Sequence, residues 1–156
     1  MDDSEGLDRL VRYPEIPRPD TAAPRPIVVA ADAVLALAFV TAQGKLALVR
    51  FQPLEAMRFG APSDQGLDGH PLFGRGLEPN ACFFVENSSW LLELAGINSV
   101  HPSHEPAYYA DLRHFIVTFQ GSTFECIART ADVETRPNGP EKPWALLRDA
   151  VDPRIT

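Results

Sequence analysis

A chain of 156 residues is long enough to bury one core, and its formal charge is −7. A field of that sign repels phosphate backbones and anionic lipid, which argues against nucleic acid and membrane surfaces as partners. No apolar run reaches the roughly 18 residues that a bilayer-spanning helix needs, and the acidic start lacks the apolar stretch of a secretory leader, so a soluble cytoplasmic domain is expected.

Residues 1–26 carry Pro14, Pro17, Pro19, Pro24 and Pro26. Prolines at that spacing remove amide donors and favour extended backbone. The segment reads as an arm laid along the domain, either a partner-binding strap or a plain extension. The domain proper is expected over 27–136. Within it, two apolar runs flank Ala42-Gln43-Gly44, and Gly44 can supply the positive φ of a short hairpin loop. Leu35, Leu37 and Phe39 alternate with Ala36 and Ala38, which gives one bulky and one small strand face. The rival is a helix from Asp32, since alanine and leucine are good helix formers.

Residues 53–80 are dense in glycine and proline and read as a long loop, with no helix or central strand. Phe59, Leu67, Leu72, Phe73 and Leu77 are too apolar for a disordered linker, so these side chains should pin the loop. His70 and Phe73 make it a candidate binding surface. Residues 81–86 read as a strand. Asn87, Ser88 and Ser89 offer capping oxygens to a helix over 88–98, with Trp90, Leu91, Leu94 and Ile97 on its buried face.

The stretch "VHPSHEP" places His101 and His104 beside Glu105 in a turn, followed by a short helix that Pro106 opens. Two imidazoles in a turn can converge on one ion, and His114, Glu105, Glu125 or Asp111 could complete the set. The competing reading has His101 capping the helix that ends near residue 98. No helical HExxH, GxGxxG, P-loop or GxSxG motif occurs.

In "RHFIVTFQGSTFECIART", Gly121-Ser122 suits a two-residue type II′ turn. That register pairs Phe119 with Phe124, Val117 with Cys126 and Phe115 with Ala128 on one inward face. It places Thr118 opposite Glu125, with His114 one strand pitch away, on a half-polar outer face that meets solvent, a loop or a ligand. A carboxylate beside an imidazole can share proton transfer. Cys82 and Cys126 lie inside apolar runs and read as buried thiols of a reduced cytoplasm. Pro143 then opens a docked helix carrying Trp144, Leu147 and Val151 within a C-terminal segment, 137–156.

The pieces "GHPLFGRGL", "VENSSWLLEL", "INSVHPSH" and "HFIVTFQGSTFECIA" together resemble a family of small uncharacterised bacterial proteins. The resemblance spans roughly 58–129. It implies a bacterial origin and a single stand-alone domain, and carries no activity.

The expected fold is α+β: a mainly antiparallel sheet of about five strands, one packed helix, and termini that wrap the outside. The expected function is a non-catalytic protein-interaction module, of accessory or immunity type, with no cofactor and an unidentified protein partner. The alternatives are a small hydrolase assisted by a divalent metal ion, or a small-molecule binder between loop 53–80 and the polar face of the second hairpin. Either alternative would use His101, His104, His114 and Glu125, with His101, His104 and His114 as the metal candidates. His70, Phe73 and Thr118 would line the binding surface.

Overall fold

Two long strands set the architecture. The computed structural model describes residues 8–22, 25–139 and 142–152. Strands β1 (Arg9–Arg12), β2 (Ile27–Ala31), β3 (Val34–Val40), β4 (Lys45–Gly60), β5 (Cys82–Glu86), β6 (Arg113–Thr118) and β7 (Thr123–Pro137) form one antiparallel sheet, in the order β1-β5-β6-β7-β4-β3-β2. Helices α1 (Ser89–Asn98), α2 (Pro106–Ala110) and α3 (Pro143–Val151) pack outside it, and two 3-10 turns (Asp64–Gly69 and Phe73–Arg75) break the loop after β4.

The α+β class is as expected, but the sheet has seven strands and the described residues include three helices. The two extra strands are its edges. Arg9–Arg12 lies in the segment read as an arm and pairs with β5, Leu10 facing Val85. Ile27–Ala31 pairs with β3, and residues 34–40 are strand rather than helix.

β4 and β7 pair along their whole length, from Lys45↔Pro137 to Gly60↔Thr123. β3 pairs with β4 only as far as Phe51, and β6 pairs with β7 only as far as Ala128. The long pair therefore belongs to two half-sheets, one with β3 and β2, the other with β6, β5 and β1. Between the halves the register slips at Leu54/Ala56. The extra residue, Glu55, turns successive even-numbered side chains to opposite faces: Leu54 packs on the inner core and Ala56 on an outer cluster. Residues 53–60 are thus strand, not loop. They tolerate Pro53 because β4 has lost its β3 neighbour there and keeps one free side.

The bend brings the inner faces together. Phe39 on β3 and Phe119 just beyond β6 are three places apart in the sheet, about 14 Å if it were flat. Their ring centroids are 5.4 Å apart. Leu35, Leu37, Val49 and Phe51 from one half meet Phe115, Val117, Phe124 and Cys126 from the other in the main core. Residues 13–20 strap across its mouth. Tyr13 stacks edge-on to Phe84 and Phe115, Ile16 is buried, and Pro19 bridges to Thr41.

Three clusters cover the outer faces. Leu67, Leu72 and Leu77 of the loop pack on Phe83, Val85 and Ile116, while Phe59 and Phe73, also expected to pin it, stay exposed. α1 and α2 set Trp90, Leu91, Leu94 and Tyr109 on Ile127, but Ile97 points outward. α3 lays Leu147 and Val151 on Ala36 and Ala38, the small strand face read from the sequence; Trp144 is half exposed under the Arg148 guanidinium. Both cysteines are free and buried. Burial pushes the Cys82 thiol up to about 12 and that of Cys126 well above its usual value, so both stay neutral.

The alanine face is a steric requirement for α3. Ala36→Leu should overpack the contact and cost about 1–3 kcal/mol in chemical denaturation. An unchanged midpoint would show that the helix does not sit there.

Candidate functional site: a buried imidazole–carboxylate relay

The β6–β7 hairpin carries the chemistry, in a register two residues from the one expected. Val117 faces Phe124 and Thr118 faces Thr123, so a four-residue connection, 119–122, replaces the two-residue turn; Phe119 N–H donates to Ser122 O at 2.8 Å. A shift of two preserves the faces, so the inner aromatic set stands. It moves Thr118 away from Glu125, which lies opposite Ile116. Thr118 is fully buried, donates to Glu78 O (2.6 Å) and accepts from Ala81 N–H (3.0 Å). It ties down the end of the loop and is not on a binding surface.

On the outer face, His114 and Glu125 are not solvated as expected. Both are buried. His114 Nε2 donates to Glu125 Oε1 at 2.8 Å, and His70 Nε2, descending from the loop, donates to Glu125 Oε2 at 3.2 Å. Ser88 caps α1, accepting Leu91 N–H at 3.1 Å, and its hydroxyl reaches His114 Nδ1 at 2.7 Å. Local structure puts Ser88 there. Val85 of β5 pairs with His114, and Asn87 then takes a left-handed turn (φ 56°) that swings the chain off the sheet. Trp90, the second residue of α1, closes edge-on over the His114 ring at 5.0 Å, with the Arg58 guanidinium 3.9 Å above the indole.

A backbone partner fixes the His70 tautomer. Leu72 N–H donates to His70 Nδ1 (3.0 Å), so the His70 proton is on Nε2, facing Glu125. With His114 also donating from Nε2, its Nδ1 is free to accept the Ser88 proton. The chain Ser88→His114→Glu125←His70 is then complete, and it centres on an ionised carboxylate. Burial alone would raise the Glu125 pKa. The hydrogen bonds from His114 and His70, together with the attraction of those rings' positive charge, outweigh it and hold the group at about 2, below its usual 4.5.

The other predicted candidates are elsewhere. His101 is exposed; it answers the helix end with its backbone N–H, to Asn98 O, while its ring accepts Ser103 N–H. His104 contacts Asn98 (2.9 Å) and the Tyr109 ring. His101, His104 and His114 therefore do not converge, and among the described residues no group of three or more His, Cys, Asp or Glu is placed to hold a metal ion. Asp111 pairs with Arg129 at the surface. The space between the loop and the hairpin, expected as a ligand pocket, is filled by Leu67, Leu72, Leu77 and His70. An open groove of about 810 Å³ lies instead beside α1 and α2, walled by Ser88, Leu91, Ala95, Tyr109 and Leu112.

Sequence reasoning offered Ser88 as a cap and His70 as a loop contact, but joined neither to Glu125. Three separate stretches of sequence meet here: "GHPL" supplies His70, "NSSW" Ser88, and "HFIVTFQGSTFEC" both His114 and Glu125. Comparison of the chain with family models, curated proteins and solved structures finds no match.

Removing the His70 ring leaves a buried carboxylate one donor short. His70→Ala should cost about 1–3 kcal/mol in denaturant unfolding, while His101→Ala should stay within about 0.5 kcal/mol; equal effects would contradict the assigned roles. The carboxylate also sets an acid limit. Because the folded pKa lies below the usual value, its contribution is whole above pH 4.5 and is lost as pH falls through about 2. Between those limits stability should fall more steeply in the native chain than in Glu125→Gln, as read from urea midpoints across the range.

Proposed function

We propose that this protein is a protein-binding module whose contact surface is the outward face of α1. One observation carries the reading: Leu92, Ile97 and Val100 are 67%, 65% and 88% exposed, while Trp90, Leu91 and Leu94 of the same segment face the core. Apart from Glu93, the helix "SWLLELAGIN" has no charged residue. A helix apolar on all sides normally has both faces covered, and here the fold covers one.

The relay supports this reading as an anchor. Ser88 fixes the start of α1 to β6 through His114, and Asp8 grips the next residue, its carboxylate accepting Ser89 N–H (2.7 Å) and the Ser89 hydroxyl (3.1 Å). A helix held in this way presents its outer side chains at little ordering cost. The partner is a protein with an apolar patch ringed by cations, matching the charge of −7 and the single acidic residue on the helix. The reading needs no cofactor. It belongs in a bacterial cytoplasm, where two neutral buried thiols persist unpaired. No helix among the described residues is long and apolar enough to cross a membrane.

The metal-assisted alternative has less support, because its candidate ligands His101, His104 and His114 each face a different partner and do not converge.

A photo-crosslinking residue at Ile97 of the full chain, in cells of the source bacterium, should give one discrete adduct that Leu92→Lys abolishes. The same probe at exposed Glu134 should give none. No adduct from position 97 defeats the proposal, and an adduct of twice the chain mass replaces the foreign partner with a second copy.

A further inference from the structure

Capping and anchoring do not use the direction of the Ser88 proton. The hydroxyl is 2.7 Å from His114 Nδ1, and the far side of that ring rests on an ionised carboxylate at 2.8 Å. This is the connectivity of an activated nucleophile: a hydroxyl, a base, and an acid that stabilises the base once charged. The setting agrees, because Ser88 follows a strand and a left-handed residue, begins a helix, and stands on the wall of the groove beside α1. The groove mixes apolar walls, among them Leu91, Ala95 and Leu112, with a charged rim at Glu86 and Arg113.

A second contact keeps the centre shut. Asp8 occupies both the backbone amide and the hydroxyl of Ser89, the donors immediately beside the Ser88 oxygen. Those donors are where the oxygen of an attacked carbonyl would gather charge. Arg75 holds the arm there through Asp8 O at 2.9 Å, and Ser88 is only 3% exposed.

We infer that Ser88 is a latent nucleophile toward esters of apolar acyl groups, with His114 as its base, Glu125 as the counter-charge, and the Asp8 carboxylate as an internal plug. In the reaction the Ser88 oxygen bonds to the acyl carbon while its proton passes to His114 Nδ1. The ester C–O bond breaks and the departing alcohol takes that proton. Water, deprotonated by the same ring, then releases the acid and restores the hydroxyl. The inference does not rest on the docking proposal: it uses the start of α1 and the groove beside it, and of the docking side chains only Leu92 also lines that groove.

The test is covalent and uses the full chain. Diisopropyl fluorophosphate should phosphorylate Ser88 with loss of fluoride, and peptide mass mapping locates the adduct. The Asp8→Ala chain should label about tenfold faster than the native one, the expected release from a charge-assisted hydrogen bond. Adding His114→Gln should slow labelling about a hundredfold. If that variant does not melt cooperatively, the pH profile of the Asp8→Ala chain reads the same link, falling as the imidazole gains a proton. No adduct on Ser88 in a folded Asp8→Ala chain overturns the nucleophile. Equal rates in the native and Asp8→Ala chains overturn the plug.

Discussion

A carboxylate beneath a loop must be given donors, and Glu125 organises the outer side of the sheet for that reason. Its two oxygens require two N–H groups, and each comes from a different part of the chain: His70 from the loop after β4 and His114 from β6. Each ring then needs something at its other nitrogen. For His70 that is the backbone at Leu72, which shapes the loop; for His114 it is Ser88, which starts α1. One buried charge thereby specifies where a loop lies, where a helix begins and which way two imidazoles face.

The apolar side of the hairpin works by different rules. It is filled by aromatic rings from both half-sheets, with Phe51 about equally near Phe115 and Phe124 at 5.3 and 5.5 Å. Dispersion and burial hold this side and place no directional demand on it. The same two strands thus carry a non-directional core on one face and a strictly directional network on the other. Alternation along β6 and β7 keeps them apart.

Much of this was legible where the signal is local. The two hairpins, the β5 strand, the cap and helix at 88–98, the alanine face under α3 and the neutral thiols all follow from residues within a few positions of each other. The faces of β6 and β7 survived a wrong turn length because the slip was an even number. What could not be read depends on distant pairing. Nothing near Arg9–Arg12 announces that it will meet a strand beginning at Cys82, and His70 is 55 residues from Glu125. The strand at 53–60 was hidden by its proline and glycine, which are tolerated on a strand with a free side. The "VHPSHEP" pair drew attention by composition alone; the turn's prolines and backbone bonds account for its shape, and neither ring reaches the relay.

β1 and β2 follow one another in sequence yet lie at opposite ends of the sheet, joined by the strap under its mouth. β7, near the other end of the chain, lies between β6 and β4. During synthesis the β3–β4 hairpin and the β5–β6 pair therefore emerge as two separate pieces of sheet, and β7, the strand between them, is the last strand to leave the ribosome. The arm, made first, must wait for both rims, because Tyr13 N–H donates to Cys82 O and Pro19 pairs with Thr41. The earliest segment made is thus placed only after much of the chain has followed it, and β1, an edge strand with one neighbour and the Asp8 contact just before it, is an element that can open without unmaking the rest.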